Sequence, residues 1–190
     1  MPSVDANLNP VSIRVTYEVE SGGPDFWVAG VDGQVKLTDR IEVGGIYVDD
    51  RNPSDPMKLA GVNATVKLGE RTFAFAEAAQ TERKLTSGKG QGTRLEVKHE
   101  SKDLQANAYV ARTDASFDNP GSYLSKGRSE SGGKAAWRVD EKTLVRGEVL
   151  RTEDVTTSAV RDGLAASVER SFDNRMAVEV GVRHARETNG

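Results

Sequence analysis

VAGVDGQVKLTDRIEVGGIYV, residues 28–48, alternates apolar and polar residues on both sides of a short polar break. Before the break, Trp27, Ala29, Val31, Val35 and Leu37 fall on one side of an extended chain, and Asp32, Gln34 and Lys36 on the other. After Thr38-Asp39-Arg40, Ile41, Val43 and Tyr47 oppose Glu42. A period of two is the signature of a strand with two unlike faces, because successive side chains of an extended chain point to opposite sides. A helix of 3.6 residues per turn would mix the two sets on one surface.

The same pattern recurs along the chain. Val11, Ile13, Val15, Tyr17 and Val19 alternate with Ser12, Arg14, Thr16, Glu18 and Glu20. Ala60, Val62, Ala64, Val66 and Leu68 oppose Asn63, Thr65 and Lys67. Leu95 and Val97 oppose Arg94, Glu96 and Lys98, and Met176, Val178, Val180 and Val182 oppose Glu179 and Arg183. Short polar connections fall at Thr38-Asp39-Arg40, Gly69-Glu70-Arg71, Ser101-Lys102-Asp103, Asp140-Glu141-Lys142 and Asp173-Asn174. Between them lie longer segments rich in Gly, Pro, Asn, Asp and Ser: Asp49 to Pro56, Lys84 to Gly92, Ala115 to Ser131, and Thr152 to Ser158. Tight turns thus alternate with long loops, as in a meander trimmed at one end and elaborated at the other. The expected fold is all-β: an antiparallel up-and-down meander of about eleven long strands, a transmembrane β-barrel or an open piece of one. Residues 1–10 are expected to be disordered, 11–187 to form the hairpin array, and 188–190 a tail.

Strand length points the same way. Segments of about 10 to 13 residues exceed the usual 5 to 6 of soluble domains and suit a tilted membrane crossing. No apolar run approaches the roughly 20 residues of a membrane helix. A mean hydropathy of -0.55 is compatible with a barrel, in which only alternate residues meet lipid. Acids and bases are interspersed to a net charge of -3, unlike the basic footprint of a nucleic-acid binder. Without cysteine there are no disulfides and no thiolate metal sites. The N-terminal MPSVDANLNP has neither a basic n-region nor an apolar h-region, so an exported chain would need a signal lying further upstream.

Amphipathic strands, tight polar turns and long Gly/Asp/Asn-rich loops, as in residues 28–48 and in LAASVERSFDNRMAVEVGVRHARE, residues 164–187, resemble Gram-negative outer-membrane β-barrels. The likeness is greatest to the barrel region of large, uncharacterised surface or receptor-like proteins. It implies location in the cell outer membrane, outer-membrane lipid as a partner, and a structural, pore-forming or transport role with unknown ligand. The chain ends on Glu187-Thr188-Asn189-Gly190 rather than on a terminal aromatic strand, and the apparent strand count is odd. A fragment is expected, completed by further strands of the same or a longer chain. Arg14, Asp32, Lys36, Glu42, Lys67, Arg94, Glu96, Lys98, Arg138, Arg146, Glu148, Glu179 and Arg183 would then line a lumen, and Trp27, Tyr17 and Tyr47 at one interface and Phe73 and Trp137 at the other would form aromatic belts. The competing reading is a soluble, secreted all-β binding module presenting its loops at one end. Its sandwich should hide large Leu, Ile and Phe, whereas these apolar faces are built of Val, Ala and Gly.

Chemistry-bearing motifs are sparse. Ser87-Gly88-Lys89-Gly90-Gln91-Gly92-Thr93 superficially resembles a phosphate cradle but lacks the spacing and the following helix, and is read as a flexible loop. Asp49, Asp50, Asn52 and Asp55 could offer oxygen ligands to calcium, but lack the glycine-turn-glutamate frame. His99 and His184 stand far apart, and no nucleophile elbow marks a serine. No catalytic, cofactor-binding or metal-ligating residue is therefore assigned, and no enzymatic activity is expected. Ligand contact is expected, if anywhere, in the segments around Asn119-Pro120-Gly121 and Lys84 to Gly92.

Overall fold

The computed structural model describes residues 25–85, 88–119, 126–172 and 176–189. The strand expected over 11–20, Ser87, Pro120-Gly121 and the turn residues Asp173-Asn174 lie outside the described residues. Within them the chain forms ten strands: β1 (Val28–Thr38), β2 (Ile41–Asp50), β3 (Met57–Lys67), β4 (Thr72–Arg83), β5 (Gly88–Glu100), β6 (Leu104–Thr113), β7 (Arg128–Arg138), β8 (Thr143–Asp154), β9 (Val160–Ser171) and β10 (Ala177–Thr188). They make one antiparallel sheet in sequence order, the expected up-and-down meander. Each strand touches only its neighbours in sequence, so among the described residues the sheet is open, with β1 and β10 as its edges.

Directly opposed residues of antiparallel strands share a face, so the pairing registers sort every side chain. One face carries Asp32, Lys36, Glu42, Lys67, Glu77, Arg94, Glu96, Lys98, Glu130, Arg138, Arg146, Glu148, Glu179 and Arg183. All the expected lumen residues that are described therefore lie together. The other face carries Val31, Val35, Val43, Val62, Val66, Leu95, Val110, Val149, Leu164, Val168, Val180 and Val182.

Exposure is inverted relative to a water-soluble protein. Val31, Val62 and Val180 are 69%, 65% and 70% exposed. On the charged face the side chains of Arg94, Glu96 and Glu130 are only 18%, 17% and 13% exposed. Side chains crowd on a concave surface and splay on a convex one, so the sheet curves with its charged face inside.

The registers also fix a tilt. One hydrogen-bonded row crosses the sheet through Lys36, Glu42, Thr65, Phe75, Glu96, Tyr109, Gly132, Leu150, Gly163 and Ala185. Across the first hairpin its two members, Lys36 and Glu42, lie close to the turn. Across the last, Gly163 and Ala185 lie far from it. The drift is steady, at about one residue per strand. A stagger of about 3.3 Å per interstrand spacing of about 4.8 Å corresponds to a tilt of about 35°, the inclination that closing a sheet into a barrel requires.

Three expectations are corrected. Residues 84–92 are not one loop, because β5 begins at Gly88. Alternate glycines carry no hydropathy signal, yet they pair with β4 through Gly88, Gly90 and Gly92. The segment ending at Ser131 is likewise shorter, because β7 starts at Arg128. Phe73 leaves the outer belt: it is paired with Lys67 and Lys98 on the inner face, its ring 6.5 Å from that of Phe75. The sequence Phe73-Ala74-Phe75-Ala76 is apolar at every position, so alternation there does not say which parity faces out. Trp137 and Tyr47 do lie on the outer face, and Trp27 is 81% exposed.

Candidate functional site: the inner wall and the segment folded onto it

The short turns are secured by their own polar side chains. In the β7–β8 turn, Asp140 accepts hydrogen bonds from Lys142 N at 2.8 Å and Thr143 Oγ1 at 3.0 Å. These bonds, the backbone one first, hold its carboxyl below the usual aspartate range. At the opposite end the connections are longer, and one of them turns inward.

That connection follows β6. Phe117 is 4% exposed, the most enclosed large side chain described, although it stands in a loop. It sits on the inner face of β5, where Gly90 and Gly92 leave a notch. A Cβ at Gly90 would fall 2.1 Å from Phe117 N, and one at Gly92 would fall 2.9 Å from the Phe117 ring. The glycine run weighed as a phosphate cradle is thus the seat of this segment. Around it Met57, Leu59, Thr81, Ala111 and Thr113 are buried, and with Phe117 they are most of what is buried among the described residues.

Polar contacts fix the segment on both flanks. Asp118 N donates to Thr81 Oγ1 at 3.0 Å, and the Asp118 carboxylate lies 3.1 Å from Arg83 Nε. Arg83 Nη1 reaches on to Asp55 Oδ2 at 2.6 Å, tying the β2–β3 loop to the same anchor. Asp114 accepts from Gln91 N at 2.8 Å, and its own N–H donates to Gln91 O at 3.0 Å. Gly127, at φ 68°, returns the chain to β7, with its N–H donating to Asp114 O at 2.8 Å.

Beside this seat, the wall of β5–β7 is a knit of charges and rings. Arg94 lies 4.5 Å above the Tyr109 ring and pairs with Glu96 at 2.8 Å. Asn107 Nδ2 donates to Glu96 at 3.0 Å, and Tyr109 OH donates to Glu130 Oε1 at 2.6 Å. Gly132 makes room for the ring, since a Cβ there would meet Tyr109 at 3.0 Å. A cavity of about 420 Å³ opens against this knit, bordered by Phe75, Glu77, Lys98, Lys134 and Glu148. Further along, the inner surface of β7–β10 is floored by small residues, Ala136, Ala165, Ser167 and Gly181. Arg146 stands over it, paired with Glu169 at 2.8 Å and Glu179 at 3.2 Å.

The remaining candidates find local partners. Asp49 pairs with Arg51 at 3.0 Å, Asp50 accepts from Asn52 N, Asn52 accepts from Ser54 N, and Asp55 binds Arg83. Among the described residues, no group of three or more His, Asp or Glu could hold a metal ion. His99 Nδ1 lies 2.9 Å from Thr72 Oγ1 on the outer face, and His184 is on the outer face of β10, pairing with Leu164. The two histidines are not brought together. Sequence reasoning missed Phe117 and its seat; the spacing Gly88-x-Gly90-x-Gly92 was the signal that could have found them.

No protein-family model matches this chain, and no curated protein matches it. Two solved structures are similar to it in backbone course. One is described as a bacterial polysaccharide outer membrane secretin, at 12% identity and a TM-score of 0.46, over 85% of this chain and 66% of that one. The other is OpdQ of Pseudomonas aeruginosa, at 9% identity and a TM-score of 0.49, over 85% of this chain and 53% of that one. The chain spans less than two thirds of the length of each of these proteins.

Proposed function

We propose that the chain is part of the wall of an outer-membrane β-barrel, with lipid on its apolar face and a polar lumen on its charged face, in a pore-forming or transport role. The observation that carries this reading is the course of the polar borders on the outer face. Asp49, Gln80, Thr93, Arg112, Ser131 and Arg151 each lie about ten residues from the centre of their own short-turn hairpin, and Lys58, Asp162 and Arg186 about twelve. At the turn end, Thr72, His99, Thr143 and Arg170 form the opposite border. Both borders follow the line of the turns and cut obliquely across the hydrogen-bonded rows. The eight residue steps from Asp162 to Arg170, inclined at about 35°, span about 22 Å, close to the roughly 25 Å apolar band of membrane barrels.

A spanning sheet has no water to satisfy its edge groups. We therefore assign the free edges of β1 and β10 to pairing with further strands, of the same polypeptide or of a longer chain that contains it. No catalytic role is assigned. Reconstitution tests the reading: with its remaining strands, the protein should enter phosphatidylcholine vesicles as a heat-modifiable, protease-resistant species. A stable monomer in buffer without detergent would overturn it.

A further inference from the structure

We propose that an oblique apolar groove on the outer face, crossing β2 to β7, holds one acyl chain of a membrane phospholipid whose anionic headgroup is bound by Arg112, Ser129 and Ser131. The proposal rests on the membrane reading and adds to it a single lipid held at one place on the wall. Two adjacent hydrogen-bonded rows form the groove. One runs through Val43, Ala64, Ala76, Leu95, Val110 and Ser131, the other through Gly45, Val62, Ala78, Thr93, Arg112 and Ser129. A volume of about 850 Å³ lies along them. Ala64, Ala76 and Ala78 make it shallow-walled on β3 and β4, while Val62, Leu95 and Val110 stand out as its exposed banks. A chain seated there regains the dispersion contacts that the alanines leave unmade.

Dimensions select the occupant. Rows on one face are two residues apart along the strand, about 6.8 Å. A helix, about 10–12 Å across, is too wide for that channel; a single hydrocarbon chain is not. Six strands are five interstrand spacings, a length of about 24 Å. The rows run perpendicular to strands inclined at about 35°, so the groove climbs about 14 Å across the band, close to half of the roughly 30 Å hydrocarbon core and thus to the depth of one leaflet. Its two ends differ in chemistry. The lower end, at Val43 and Gly45, is apolar, whereas the upper end reaches the long-loop border at Arg112, Ser129 and Ser131. Arg112 is exposed and is in no ion pair among the described residues. Glu153 stands opposite Ser129 one strand further on, which confines an anion to the Arg112 side. One guanidinium and two hydroxyls are donors suited to phosphate oxygens, and a headgroup without a cation of its own suits Arg112 best.

The test uses the assembled protein, stripped of lipid in detergent and titrated with phosphatidylglycerol or phosphatidylcholine, with bound lipid counted by native mass spectrometry. Insertion of each variant into vesicles as a heat-modifiable species is checked in parallel. We expect one phosphatidylglycerol to be retained per protein, and phosphatidylcholine to be retained roughly fivefold less. Ala76→Phe, which fills the middle of the groove, should lower retention of both lipids roughly fivefold or more. Arg112→Gln should bring phosphatidylglycerol down to the phosphatidylcholine level. Ala166→Phe and Arg186→Gln, on the outer face of β9 and β10 beyond the groove, are the controls and should change neither. Retention unaffected by Ala76→Phe, or lowered as much by the controls, would overturn the groove and leave the membrane reading standing. Equal retention of the two lipids by the parent, or no effect of Arg112→Gln, would overturn the headgroup site. A protein dimer that forms without added lipid and is lost in Ala76→Phe would give the groove to a second copy and overturn the proposal. Failure of the parent to enter vesicles at all would end the membrane reading, and the lipid site with it.

Discussion

Val62 and Asn63 are neighbours on β3 and meet opposite surroundings. Val62 stands out from the convex side among Ala60, Ala64 and Ala78, while Asn63 turns to the concave side between Gly44 and Glu77. The same contrast repeats on β9, where Leu164, Ala166 and Val168 face out and Ala165, Ser167 and Glu169 face in. On the outer side there are few polar partners and large exposed apolar area. On the inner side polar groups are tied to one another in clusters, as in the Arg94, Glu96, Tyr109 and Glu130 knit and in Arg146 with Glu169 and Glu179. In water this arrangement is inside out, since exposed apolar patches of this extent mark an interface. With hydrocarbon outside and water within, both faces are in their favoured media.

The contrast can be broken most severely from outside. Val62→Arg places a charge at the middle of the apolar band and is expected to destabilise the vesicle-bound protein by about 2–4 kcal/mol in reversible guanidinium unfolding, as at the bilayer midplane of other barrels. A change near zero would show that Val62 faces water. From inside, Tyr109→Phe removes a hydrogen bond to Glu130 and leaves that carboxylate short of a donor, so a loss of about 1–2 kcal/mol is expected in the same assay. Arg146→Ala breaks two pairs, but Arg146 is 43% exposed on a wet wall, and the loss should stay below about 1 kcal/mol and shrink further in high salt.

The smallest effect belongs to the turns. Because folding lowers the Asp140 pKa, its contribution is present above the unfolded aspartate value and is lost as pH falls through the depressed folded value. Asp140→Asn should therefore lower stability at neutral and alkaline pH and converge with the parent in acid, flattening the acid side of the profile, as read from unfolding midpoints between neutral and acid conditions.

Much of this was legible in residue order alone. Strict alternation assigned Val31, Val62 and Val180 to one face and Asp32, Lys67 and Glu179 to the other, and the polar tripeptides located the turns. The failures have definite causes. Gly90 and Gly92 have no side chain to alternate, so the first turns of β5 read as loop. Phe73 and Phe75 sit among alanines, which erases the parity signal. Stagger was invisible because it is a relation between strands, set by which residues pair, and a single chain's hydropathy does not contain it. Phe117 was missed because a lone aromatic in a polar loop carries no period, and its seat lies more than twenty residues away in sequence.

Spin labels placed one at a time from residue 163 to 169 on β9, in the vesicle-embedded protein, test the central claim most directly. Oxygen, which concentrates in hydrocarbon, should broaden the signals at 164, 166 and 168, while a water-soluble nickel chelate should broaden those at 163, 165, 167 and 169. Nickel access at all seven positions, or protection of the even ones from both reagents, would contradict it.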